Sequence, residues 1–171
     1  MPTGGGSWKI MSKMAPGSVT IILAESPEHM ESVRTLLQEY WTSFGFTPCF
    51  QGFADELARL PGDYAQPGGR LGLALAGDAP VGCVALRRID AERCEAKRLF
   101  VRPQSRGLGI GRFLLGWLIN EARAVGYREM LADTMPVMRQ ALEMYTRAGF
   151  ERTPPYRSEA TPGAIYLRLE L

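Results

Sequence analysis

The residues of this chain best suited to hold a charged ligand run from Arg106 to Gly111, Arg-Gly-Leu-Gly-Ile-Gly. A strand-like run through Leu99, Phe100 and Val101 ends at Pro103, and an apolar-periodic segment begins directly after Gly111. A strand, a glycine loop and a helix N-terminus together form a phosphate-binding device. Loop amides point outward, the helix dipole adds positive potential, and missing Cβ atoms let a pyrophosphate approach the backbone. A Walker A loop would need Gly-Lys-Ser/Thr at its end, and Gly111-Arg112-Phe113 supplies neither lysine nor hydroxyl. A dinucleotide fingerprint needs G-x-G-x-x-G, whereas Gly107, Gly109 and Gly111 fall at G-x-G-x-G, although Asp133 sits at a suitable distance for its acid.

Other reactive side chains are few. His29 is the only histidine and falls near the start of a helix, so a His-dependent triad or a His-rich metal site is not expected. Cys49, Cys83 and Cys94 have no C-x-x-C spacing and cannot all pair. They read as reduced thiols of a cytoplasmic protein, with Cys83 and Cys94 buried in strands.

Those residues need a scaffold, and 171 residues are enough for one domain with a substantial core. A net charge of +2 with scattered basic residues gives no nucleic-acid footprint, and no apolar run reaches the length of a membrane span. Residues 1–17 carry Gly4-Gly5-Gly6-Ser7 without apolar periodicity and are expected to be a disordered leader, followed by one domain over 18–171.

Periodicity then sets the element order. A strand over 18–24 precedes a helix opened by Ser26 and Pro27, with apolar residues Met30, Val33, Leu36, Leu37, Tyr40 and Trp41 at helical spacing. A short helix over 51–60 ends at Pro61-Gly62. A hairpin, 71–76 and 81–89, leads to a third antiparallel strand over 93–101. After the glycine loop, Phe113, Leu114, Trp117, Leu118, Ala122 and Val125 mark a helix stopped by Gly126. A strand over 129–133, a helix begun near Pro136 under a Thr134 cap, and strands over 150–153 and 164–171 complete the chain. The fold class is α/β in the order βααβββαβαββ, with a mixed, mostly antiparallel sheet flanked by about four helices.

The spacing Arg106-x-x-Gly109-x-Gly111 resembles Q/R-x-x-G-x-G/A, the acetyl-CoA-binding signature of the GNAT superfamily of N-acetyltransferases. Segments 82–86, 97–101 and 142–150, and the closing run from Pro154 to Tyr166, also resemble the family, and the resemblance spans residues 19–171 in the right order. It implies acetyl-CoA as cosubstrate and transfer of the acetyl group to a primary amine of a small molecule by direct attack in a ternary complex. The alternatives it leaves open are acylation of a protein N-terminus or lysine, and a catalytically silent acyl-CoA-binding regulatory module. A homodimer is compatible with it, and no nucleic-acid or membrane partner and no metal is expected.

The resemblance also assigns residues. Pantetheine would pair with the backbone of Leu99, Phe100 and Val101, the Val101 amide serving as oxyanion donor. Pyrophosphate would rest on Arg106, Gly107, Leu108, Gly109, Ile110, Gly111 and Arg112. Tyr145 matches the family's general acid near the cofactor sulfur; it also continues an apolar row with Val137 and Ala141. Glu95 matches the general base of the histone-acetylating branch, and strand alternation would put it on one face with Lys97, Leu99 and Val101. Asp133 and Thr134 would lie near pantetheine or cap the next helix. Tyr40, Trp41, Phe44, Phe46, Tyr156 and Arg157 are candidate walls of the acceptor groove.

Overall fold

The computed structural model describes residues 18–43 and 50–171, without the side chains of Phe50 and Gln51. The leader expected over 1–17 and the candidate wall residues Phe44 and Phe46 lie outside the described residues. In chain order the elements are β1 (Val19–Leu23), α1 (Pro27–Ser43), α2 (Phe50–Ala58), β2 (Arg70–Ala76), β3 (Ala79–Arg88) and β4 (Arg93–Val101). Then come α3 (Ile110–Val125), β5 (Glu129–Thr134), α4 (Arg139–Arg147), β6 (Glu151–Arg152) and β7 (Ile165–Glu170). This is the order that periodicity predicts.

The strands form one sheet, β1-β2-β3-β4-β5-β7-β6, antiparallel everywhere except between β4 and β5. The two faces carry separate cores. Met30, Val33, Leu36 and Leu37 of α1 and Phe53 and Leu57 of α2 pack on Leu71, Leu73, Cys83, Ala85 and Phe100. On the opposite face, Leu114, Leu115, Leu118 and Ala122 of α3, with Tyr145 of α4, pack on Val84, Leu86, Ala96, Val101 and Met130. The 3.6-residue repeat of each helix and the 2-residue repeat of each strand thus meet on both sides. Gly72 leaves room where Trp117 crosses β2, for a Cβ there would lie 2.5 Å from its ring.

Local chemistry fixes the ends of α1 and α3. The His29 amide donates to Ser26 Oγ at 3.2 Å, and His29 Nδ1 in turn accepts from the Ser26 amide at 3.4 Å. The lone histidine is therefore part of a helix cap. Gly126, in the left-handed region at φ 101°, closes α3. The start of α4 differs from expectation. It begins at Arg139, not near Pro136, and its N-cap residue, Met138, supplies no side-chain hydrogen bond. Thr134 stays in the β5 ladder opposite Ile165, and the Met138 amide closes a turn on the Met135 carbonyl at 2.8 Å. Thr134 therefore does not cap α4. Val137 falls in that turn, 75% exposed, so the apolar row expected to link it to Tyr145 is broken.

Candidate active site at the divergence of two strands

Strands β4 and β5 are partners only from Arg93 to Glu95, opposite Glu129 to Leu131. Beyond that, residues 96–101 of β4 pair with β3 alone and Ala132 to Thr134 of β5 pair with β7 alone. The sheet therefore opens a wedge-shaped gap at its middle, with backbone polar groups along both edges.

A bulge in β4 sets what faces that gap. Cys83 is opposite Phe100 but Ala85 is opposite Lys97, so β4 spends three steps where β3 spends two. Arg98 takes the extra step in the left-handed region, at φ 57°. Such a conformation costs a side-chain-bearing residue roughly 1–2 kcal/mol. Its guanidinium is anchored by a bidentate pair with Glu56 at 2.6 and 2.8 Å, and it lies 5.6 Å from the Trp41 ring centre. Glu56 also accepts from the Tyr64 hydroxyl at 2.7 Å.

The bulge overturns one expectation. Glu95 does not share a face with Leu99 and Val101, because the extra residue reverses the alternation. Glu95 is opposite Arg87 on the α1/α2 face, whereas Leu99 and Val101 pack on the α3 side. Past the bulge, Val101 is opposite Gly82 while the Arg102 amide donates to the Val81 carbonyl at 2.9 Å. That makes Val101 and Gly82 a non-hydrogen-bonded pair, so the Val101 N–H and C=O point away from β3 and into the gap. Arg106 folds back to donate from Nε to the Val101 carbonyl at 3.0 Å, while the Val101 N–H remains aimed into the gap. Gly82 permits the close approach, since a Cβ there would lie 2.7 Å from the Phe100 carbonyl oxygen.

The glycine loop borders the gap on the α3 side. Gly107 and Gly109 adopt φ values of 79° and 78°, with open space where side chains would stand. The first helical bond of α3 runs from the Phe113 amide to the Gly109 carbonyl at 3.0 Å, so the amides before Phe113 have no acceptor within the helix. Gly109 caps α3 without any side-chain hydrogen bond. Leu108 and Arg112 are exposed, Ile110 is buried, and a Cβ at Gly111 would come within 3.4 Å of Met144 Sδ. Tyr145 is 6% exposed and packs edge-on against Phe150 at 5.0 Å. Burial first, then the nearby Tyr40, Asp133 and Glu95, push its phenol well above the ordinary range, so it stays protonated at neutral pH. Thr134 Oγ1 is buried beside the gap with no partner among the described residues.

The opposite face carries a charge cluster. Glu95 is 0% exposed and accepts from Arg87 Nε at 2.6 Å, from the Tyr156 hydroxyl at 2.9 Å and from Arg157. Asp133 accepts from the same Arg157 nitrogen at 2.9 Å, and Lys97 Nζ lies 3.7 Å from Glu95 and 3.6 Å from Asp133. Burial alone would raise the Glu95 pKa, but Lys97, Arg87 and Arg157 outweigh it and hold the carboxyl below its ordinary value. Sequence reasoning named Glu95, Tyr156 and Arg157 separately. It missed Arg87 and the Arg98–Glu56 pair, whose partners are 42 positions apart and give no local signal.

A strand bulge, a strand divergence and an uncapped glycine-led helix meet here. Residues 30–150 match the model of the acetyltransferase (GNAT) family. The chain belongs to the GNAT family of acetyltransferases. An N-acetyltransferase of Schizosaccharomyces pombe is 35% identical over 160 residues, covering 92% of this chain and 98% of its own. Among solved structures, a GNAT-family acetyltransferase from Staphylococcus aureus Mu50 superposes with a TM-score of 0.76 at 21% identity, over 89% of this chain and 98% of that one. A GNAT acetyltransferase from Elizabethkingia anophelis, with acetyl-CoA bound, gives 0.62 at 23% identity over 90% and 98%. This GNAT chain is thus an acyltransferase on the relatives' evidence of family, with a mixed seven-stranded sheet. Among its described residues no helix is long and apolar enough to cross a membrane.

Proposed function

We propose that this GNAT chain transfers the acetyl group of acetyl-CoA to a primary amine of a small molecule, by direct attack in a ternary complex. The observation that carries the reading is the gap between β4 and β5, with a phosphate-suited helix end on one face and a polar cluster on the other. Acetyl-CoA fits the residues present. Open glycine positions at 107 and 109, amides without helical acceptors before Phe113, and the orphaned Thr134 hydroxyl are what a pyrophosphate and a polar pantetheine arm would use.

In this reading the backbone of Leu99, Phe100 and Val101 holds pantetheine, and residues Arg106 to Arg112 hold pyrophosphate. The Val101 N–H, already aimed into the gap, meets the oxygen on which charge develops. Tyr145, kept protonated by burial, gives its proton to the departing thiolate. No covalent enzyme intermediate is needed.

The amine must lose a proton before it attacks, because a free alkylamine has a pKa near ~10. Glu95 is poorly suited to accept that proton directly, being buried, saturated with donors and held below the ordinary carboxylate range. Its geometry supports a positioning role, fixing Arg157, Tyr156 and Lys97, better than the general-base role expected from the resemblance. The cations around it disfavour an incoming ammonium, so the amine sheds its proton to water as it enters.

Thermal unfolding with acetyl-CoA, CoA, NAD and ATP in parallel tests the cosubstrate. A ligand at about a hundred times its Kd adds about 2.7 kcal/mol, which raises Tm by about 5–11 °C for a domain of this size. A shift with the CoA compounds alone, followed by amine-dependent thiol release, is the expected result. No shift with them, or a larger one with NAD, overturns the reading; a shift with no turnover on any amine or peptide marks a silent binding module.

A further inference from the structure

We infer that the acceptor amine carries a carboxylate, and that Arg157 and Lys97 on the α1/α2 face of the gap receive it. The inference rests on the transferase reading above and names the acceptor class for that site.

The first ground is charge. Arg98 and Glu56 neutralise each other in their own bidentate pair. What remains at the gap is three cations, Arg87, Lys97 and Arg157, around two anions, Glu95 and Asp133. One positive charge is left without a protein counterpart in a place where the Lys97 side chain is 12% exposed and that of Arg157 is 26% exposed. An uncompensated charge so far withdrawn from water is costly, and an anionic ligand removes the cost.

The second ground is unused donors. A single nitrogen of Arg157, Nη2, serves both Glu95 and Asp133, while its Nε–H is buried with no partner among the described residues. Guanidinium offers five N–H groups in a planar fork that matches a carboxylate. Lys97 is similarly under-used, since its two carboxylate neighbours stand at 3.6 and 3.7 Å, beyond good hydrogen-bond length. Burial, together with the facing Arg157 and Arg98 cations, holds the Lys97 ammonium below its ordinary pKa despite Asp133 and Glu95.

The third ground concerns the amine itself. An ammonium would meet a net positive cluster whose carboxylates are already engaged, so the cluster is not an amine receptor. It suits the far end of the acceptor. The rings of Tyr156 and Tyr166, 5.2 Å apart, border the same corner, and Arg157 lies 5.6 Å from the Tyr156 ring centre. The acceptor is thus an amino acid or another aminocarboxylate, bound by its acid and acetylated at its amine.

The test compares matched acceptors that differ only in the carboxylate, glycine with methylamine, L-phenylalanine with 2-phenylethylamine and 6-aminohexanoate with pentylamine, by thiol release from acetyl-CoA. At least one acid is expected to exceed its plain amine about tenfold or more in kcat/KM, the scale of one charge-assisted hydrogen bond. Arg157→Lys, which keeps the charge but not the fork, is expected to collapse that preference through KM. Should the variant fail to fold, the wild-type protein saturated with CoA gives the second readout. 3-Phenylpropionate is then expected to raise Tm and 3-phenylpropylamine not to. Acetyl-CoA-dependent acetylation of plain amines at or above the rate of every acid overturns the carboxylate and leaves the transferase reading standing. Absence of both an acetyl-CoA shift and any thiol release overturns the transferase reading, and the carboxylate with it. An acetyl-CoA shift without turnover or stabilisation by any acid overturns the carboxylate alone.

Discussion

Replacing Glu95 by glutamine keeps the shape of the side chain and removes its charge. In the native protein that carboxylate, wholly shielded from water, faces Arg87 at 2.6 Å, the Tyr156 hydroxyl at 2.9 Å, Lys97 at 3.7 Å and Arg157. After Glu95→Gln, three cations would face Asp133 alone. Removing one partner of a buried ion pair costs roughly 3–5 kcal/mol, because the other partner stays buried and unpaired. For a domain of 150–250 residues each kcal/mol moves Tm by about 2–4 °C, so the variant should melt about 6–20 °C below the wild type at pH 7. The pH dependence has a definite sign. The native Glu95 carboxyl is held below its ordinary value of 4.5 by the three cations, although burial works against them. Its contribution to stability is therefore complete above about pH 4.5 and is lost as the pH falls through the depressed native pKa. Melting both proteins by circular dichroism from pH 7 to pH 3 should show a wide gap that narrows at the acid end. Equal melting temperatures at pH 7, or a gap that stays constant down to pH 3, would refute the account of this cluster.

Three further outcomes follow from the same geometry. Tyr145→Phe should lower kcat by about a hundredfold or more, the scale of general-acid catalysis, while the acetyl-CoA-induced Tm shift is unchanged; an undiminished kcat removes the phenol from the chemistry. Gly109→Val places a β-branched side chain at φ 78°, in open space but in a strained backbone, and so should weaken CoA stabilisation more than it lowers the Tm of the free protein. Calorimetric CoA affinity equal to wild type would refute a role for that turn. Burial pushes the Cys83 and Cys94 thiols up to about 12, so native protein should react with iodoacetamide at those two positions only after denaturation, as read by peptide mass spectrometry.

Much of this architecture is legible in the sequence because short-range signals write it. The Arg106-x-x-Gly109-x-Gly111 spacing, the apolar stripe of α3 and the strand over Arg93–Val101 each depend on neighbours within a turn or a strand. The α4 start is misread because Thr134 and Pro136 together imitate a helix opening, while pairing with Ile165 holds Thr134 in the sheet. The bulge is invisible for a different reason. Arg98 is an ordinary residue in a left-handed conformation, stabilised by Glu56 and by Trp41 and Phe53 from another part of the chain. Nothing within β4 announces it. The charge cluster likewise joins β3, β4, β5 and the segment after β6, and only the fold brings Arg87 and Arg157 to one carboxylate.

The single extra residue at Arg98 makes β4 a strand written in two reading frames. Upstream of it, odd-numbered positions face α1 and α2; downstream, odd-numbered positions face α3. Substitutions at 95 and 97 therefore alter the α1/α2 face, where we propose the acceptor binds, without changing any side chain on the α3 face. Loss of one residue at 98 would be a different kind of change. It would restore plain alternation, with Leu99 and Val101 still facing α3 and Phe100 still facing α1 and α2, but β3 and β4 would then match step for step and the bend and added twist of the bulge would be lost. In this strand, point substitution changes which side chains line the gap, whereas deletion at 98 changes the course of the strand that borders it.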